Sequence, residues 1–288
     1  MAWEVLSLPR SPGGRVSAGN TDRSALARAG DTRRPGFLAL ARPYARRRVR
    51  RGLDGLWVSG LEGARAALAE RPLVFASNHV AWWDSLLLVV IDEALGGVGW
   101  AVMDAANLRT LPFLGWVGAL PLDRSSQERS RRCLQACADL LDRPGRGLWM
   151  FPQGRQRPAH LRPLDLKPGL QVLHDYNPVD VVPVSLDYVF LETERPAAIM
   201  RFGDPISSAT CRPHGLLPAV EEALLDGLTA IDTATLGATD GRRARSHPDD
   251  PLPGFSALIR PAGAPNGDRL GERMLRAFQR RPSDGRRR

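Results

Sequence analysis

Short apolar runs that alternate with stretches of helical period constrain this chain more than any other feature. Residues 73–76, 98–103, 147–151 and 180–186 are rich in Val, Leu, Ala and Trp, and Gly, Pro, Asn or Asp stand close by. Runs of that kind read as buried strands. Further strands are expected at 56–61, at 115–124 after a turn, and at 198–202. Residues 85–95 read as a helix ended by Gly96-Gly97. Residues 126–141 space Cys133, Leu134, Cys137, Leu140 and Leu141 as a helix does. Helices are also expected at 64–69, at 108–114 with an interruption at Pro112, and at 216–230. Strands alternating with helices predict an α/β fold, a single domain with a mixed central sheet flanked by helices. The 288 residues suffice to bury a full core.

The charge lies at one end. Residues 1–52 hold twelve arginines against Glu4, Asp22 and Asp31, and this excess equals the net charge of +9 of the whole chain. The remainder balances, so the basicity says little about the folded domain. Residues 1–34 carry no sustained apolar period and are expected to be disordered. Residues 35–52 join an apolar stretch to Arg46, Arg47, Arg48, Arg50 and Arg51. Such a basic amphipathic segment can lie in a membrane interface with arginines on anionic headgroups. A solvated basic helix end or a nucleic-acid patch has the same composition. Pro43 argues against one unbroken helix there. Residues 53–235 are expected to form the domain, and 236–288 a linker with a short helix at 270–278. No apolar run approaches the roughly 20 residues needed to span a bilayer. Cys133, Cys137 and Cys211 suggest neither a disulfide scaffold nor a zinc site.

The expected strand at 73–76 delivers the chain to Asn78-His79, and a helix resumes just beyond Asp84. His79 and Asp84 thus flank a strand-to-helix turn. A carboxylate there can bond one imidazole nitrogen and leave the other to take a proton from a hydroxyl. Taken alone, the same spacing also fits a carboxylate that caps the helix beside a packed histidine. Gly115-x2-Gly118 then leads to Asp123-Arg124, and an arginine after a strand can clamp an anionic group. Phe151-Pro152-Gln153-Gly154-Arg155 ends another strand, where ligands of α/β sheets usually sit. There Gln153 can bind hydroxyls, and Arg155 and Arg157 can bind phosphate, with Lys167 near. Val182-Pro183-Val184 places a proline inside an apolar strand, which suggests a strand end or bulge, or plain core packing.

In order and spacing these four blocks resemble those of the glycerolipid acyltransferases, which include the 1-acylglycerol-3-phosphate acyltransferases. The resemblance covers roughly residues 50–210. It implies a single acyltransferase-type α/β domain acting at a membrane, with acyl-CoA or acyl-carrier protein as donor and no further cofactor or metal. It implies His79 as general base and Asp84 as its partner. It further implies acceptor binding by Arg124, Gln153, Gly154 and Arg155, with Val182, Pro183 and Val184 near the acyl pocket. The third block departs from the usual Phe-Pro-Glu-Gly-Thr-Arg, since Gln153 replaces the glutamate and Arg155-Gln156 replace Thr-Arg. A lysophospholipid or other glycerolipid is the expected acceptor, with a glycosylated lipid or carotenoid as the alternative. A non-catalytic membrane-binding protein on the same scaffold is the rival reading, and a nucleic-acid partner is not expected. The expected location is the cytoplasm, peripheral on the inner face of the cell membrane.

Overall fold

The computed structural model describes residues 32–191, 193–207, 215–239 and 252–260. The N-terminal extension up to residue 31, the expected helix at 270–278, Cys211, His214 and His247 lie outside the described residues. A first helix, α1 (Pro35–Gly52), leads into β1 (Leu56–Ser59) and α2 (Leu61–Glu70). Then follow β2 (Leu73–Ser77), α3 (Asp84–Leu95), β3 (Val98–Asp104), the short helices α4 (Ala105–Thr110) and α5 (Phe113–Trp116), and β4 (Ala119–Leu122). After α6 (Gln127–Asp139) come β5 (Arg146–Met150), α7 (Gly169–Tyr176) and the long β6 (Asp180–Phe190). β7 (Pro196–Phe202), α8 (Leu216–Thr239) and β8 (Ser256–Ile259) complete the described chain.

The strands form one mixed sheet in the order β4-β3-β5-β2-β6-β7-β1-β8. β4, β3, β5, β2 and β6 run parallel, so their C-terminal ends share one edge. β7 pairs antiparallel with β6, β1 parallel with β7, and β8 antiparallel with β1. Parallel strands need cover on both faces, and all five residues of β2 are accordingly buried. On one face Phe75, Val182 and Val184 meet Leu87 and Ile91 of α3 and Ala45 and Val49 of α1. On the other, Val74, Ala76 and Val181 meet Leu134 of α6, Leu170 of α7 and Val220 of α8.

Several elements differ from expectation. α1 is one continuous helix through Pro43. The ring is exposed, while Ala45 and Val49 bury a stripe against the core that holds the helix together despite the lost hydrogen bond. α7 was not among the expected helices. A proline just ahead of the first turn starts helices, and Leu170 and Leu173 then anchor this one. β8 falls in the stretch expected to be linker, and α8 runs past residue 235, so the folded unit extends beyond the expected boundary. Pro183 sits where the antiparallel register slips by one residue, between the pairs Val184↔Phe202 and Val181↔Ile206. Among the described residues no helix is long and apolar enough to cross a membrane.

Candidate active site

Four loops converge on the C-terminal edge of the parallel strands. His79 follows β2, Phe151 to Gly154 follow β5, Asp104 ends β3, and Arg124 follows β4. Asn78, fully buried, makes the turn possible. Its amide donates to the Leu186 carbonyl and accepts from the Leu186 amide, both at 2.8 Å. The side chain thereby continues the β2–β6 ladder for one more residue while the backbone turns away.

His79 Nδ1 lies 2.6 Å from Asp84 Oδ2. With the carboxylate ionised, Nδ1 carries the proton, and Nε2 is the basic nitrogen. Asp84 opens α3 and is buried. The amides of Val80 and Ala81 donate to it, and the Tyr188 hydroxyl donates to Oδ1 at 2.6 Å. Four donors and a helix N-terminus surround this carboxylate and fix its orientation. Burial and the Asp84 charge in turn push the Tyr188 hydroxyl far above the ordinary phenol range, so it stays protonated. The imidazole stacks on Phe151, with ring centroids 4.4 Å apart. The His79 carbonyl accepts from the Arg157 amide at 2.8 Å. The ring is thus fixed in position and tautomer while remaining part-exposed to a cavity.

That cavity, about 620 Å³, has His79, Gly154, Arg124, Arg155 and Lys167 at one end. From there it extends between α1, α3 and β3, past Leu88 and Val89, to Asp92, Gly97 and Gly99. Gly99 and Asp104, five residues apart on β3, both line it, so it runs roughly 16 Å along that strand. At the basic end, Arg124 donates to the Gly154 carbonyl at 3.3 Å. Gly154 has φ +67°, a conformation that glycine adopts without strain. Asp165 gathers Lys167 at 2.7 Å, Arg155 at 3.5 Å and Arg157 at 3.8 Å. The Lys167 hydrogen bond and these cations hold its carboxyl below the usual range. At the far end, burial raises Asp92 to about 6 despite a hydrogen bond from Trp149.

Two expected assignments need correction. Gln153 is buried, and both ends of its amide are engaged. Oε1 accepts from the His79 amide at 2.7 Å, and Nε2 donates to the Leu164 carbonyl at 3.1 Å. It braces the histidine loop and is not offered to an acceptor. Val182, Pro183 and Val184 do not line the cavity; the two valines pack in the core under α3. Leu88, Val89 and Leu38 supply apolar wall instead. Arg124, Gly154 and Arg155 do reach the cavity. Sequence reasoning missed Tyr188, although its place in the strand after the Val-Pro-Val block was a signal. Asp92 also went unassigned, although it falls two helical turns beyond Ser85 on the face that lines the cavity.

Residues 56–187 match the family model "Acyltransferase". Over 122 residues the chain is 31% identical to the 1-acyl-sn-glycerol-3-phosphate acyltransferase of Saccharomyces cerevisiae (strain ATCC 204508 / S288c). That match takes in 41% of this chain and spans 39% of the yeast protein's length. The fold is similar to the crystal structure of the 1-acyl-sn-glycerophosphate (LPA) acyltransferase PlsC from Thermotoga maritima. Its TM-score is 0.51 at 14% identity, over 72% of this chain and 87% of that one. The resemblance carried by the four sequence blocks therefore holds, and the mixed α/β sheet is a fold this chain shares with an acyltransferase.

Proposed function

We propose that this acyltransferase-family domain moves a fatty acyl group from a thioester, acyl-CoA or acyl-carrier protein, to a hydroxyl of a lysophospholipid, with lysophosphatidic acid the leading acceptor. The observation that carries this reading is the Asp84-held imidazole at the junction of a basic rim and a long, largely apolar cavity. His79 Nε2 takes the proton of the acceptor hydroxyl as its oxygen attacks the thioester carbonyl. The C–S bond breaks, and the leaving thiolate takes up that proton from the imidazolium. Base catalysis of this kind contributes about 10²–10⁴-fold. Arg124, Arg155 and Lys167 suit a phosphate on the acceptor, which favours an anionic glycerolipid over a neutral glycolipid or carotenoid. The acyl chain takes the cavity along α3.

The surface around α1 suits a membrane, and we place the protein peripherally on the inner face of the cell membrane. Leu40 and Tyr44 are exposed on α1. Exposed Trp82 stacks on Trp83, whose ring Arg48 of α1 covers. Exposed Phe113 opens α5, whose Trp116 packs on Phe37 of α1. Arg47 and Arg50 are exposed on α1. Transfer of labelled acyl groups from acyl-CoA to lysophosphatidic acid, other lysolipids and glycolipids tests the reading. Product from lysophosphatidic acid that vanishes in His79→Ala is expected. Equal background from both proteins would sink it.

A further inference from the structure

The far end of the cavity is polar where a plain hydrocarbon chain would need it apolar. Asp92 Oδ1 accepts from Trp149 Nε1 at 2.8 Å. Its Oδ2 has no hydrogen-bond partner among the described residues. Room for that oxygen is made by Gly99, where a Cβ would come within 2.0 Å of it. Arg42 of α1 lines the same cavity and makes no hydrogen bond or ion pair among the described residues. Its charge, with that of Arg33, is felt at Asp92. Wall residues Ser85, Leu88, Val89 and Asp92 lie along one stripe of α3, so the carboxylate belongs to the same passage as the catalytic end.

Each possible chain end can be weighed by chemistry. A methyl end would leave Oδ2 and the guanidinium desolvated without partners, which is costly. A carboxylate end would satisfy Arg42 but meet the charge of Asp92. A hydroxyl donates to Oδ2 and accepts from Arg42, so it alone serves both. Asp84 and Asp92 are eight residues apart on α3, about 12 Å along the axis. An extended chain advances roughly 1.2 Å per bond, so this is roughly ten bonds.

We propose that Asp92 and Arg42 form a hydroxyl-recognising subsite, and that the acyl chain taken by this cavity carries a hydroxyl about ten bonds from its carbonyl. This rests on the reading above only in letting the cavity hold the acyl chain. Calorimetric titration of the full chain with ω-hydroxydecanoate, decanoate and decanedioate tests it without any acyl transfer. The hydroxy acid is expected to bind wild type about tenfold more tightly than decanoate. Asp92→Leu should reverse that order. Asp92→Asn keeps an acceptor for Trp149 and should admit decanedioate, since the repelling charge is gone. It carries the test if the leucine variant does not fold. Equal binding of the hydroxy and plain acids to wild type would overturn the subsite, as would ratios unmoved by either variant or no binding of any acid. The acyltransferase reading is judged separately, by transfer from decanoyl-CoA, which needs no hydroxyl.

Discussion

At the scale of single residues, the site depends on side chains that never touch a substrate. Asp84 aligns His79, and Tyr188 aligns Asp84, since the hydroxyl can only donate to the carboxylate 2.6 Å away. Tyr188→Phe should lower kcat about tenfold with KM nearly unchanged, because one hydrogen bond to a charged group is lost and nothing at the cavity wall moves. Steady-state kinetics on the acceptor check this, and a matched rise in KM would contradict it. Gln153 calls for a different prediction from the one its sequence context invites. A glutamate there would still accept from the His79 amide, but its second oxygen would face the Leu164 carbonyl, where the amide now donates. Gln153→Glu is therefore expected to cost about 1–3 kcal/mol of stability, read from urea midpoints, rather than to retune acceptor choice.

At the scale of elements, α1 has two jobs on two faces. Ala45 and Val49 join the core, Leu38 and Arg42 line the cavity, and Leu40 and Tyr44 face outward. A helix built this way couples the cavity wall to the exposed surface that we propose meets the membrane. The double variant Leu40→Asp, Tyr44→Asp should lose sedimentation with anionic vesicles while keeping its unfolding midpoint. Full retention would place the membrane contact elsewhere. The loop after β5 is the second functional element. It carries Gly154, Arg155 and Lys167 around Asp165, at the rim near His79. Arg155→Ala combined with Lys167→Ala should raise KM for a phosphorylated acceptor several-fold and weaken its salt dependence, with little change for a neutral one.

For the whole molecule, pH reports how the cavity is built. Asp92 is raised from 3.8 to about 6 by burial, so between those values the folded chain holds a proton that the unfolded chain has lost. Stability contributed by this group is therefore present below pH 3.8 and falls as pH rises to about 6. Asp165 has the opposite sign, since its lowered value is lost as stability on acidification. Urea unfolding of wild type and Asp92→Asn across that window should show the decline only in wild type. Much of the sheet was legible in the chain, because residues 73–76, 98–103 and 147–151 are apolar runs that no exposed loop could carry. The His79–Asp84 pair was legible too, since a strand-to-helix turn brings residues five apart into contact through local geometry. β8 was not, because Ser256 to Ile259 becomes a strand only by pairing with β1, some two hundred residues away. Nor was the engagement of Gln153, which depends on a carbonyl from a distant point of its loop, nor the reach of the cavity to Asp92. Apolar patterning along the chain fixes which segments are buried, and residue type fixes which side chains can do acid–base chemistry. Which polar groups are already satisfied within the protein and which face the cavity emerges on folding, because hydrogen-bond partners are assigned by packing across the sheet, not by neighbours in the chain.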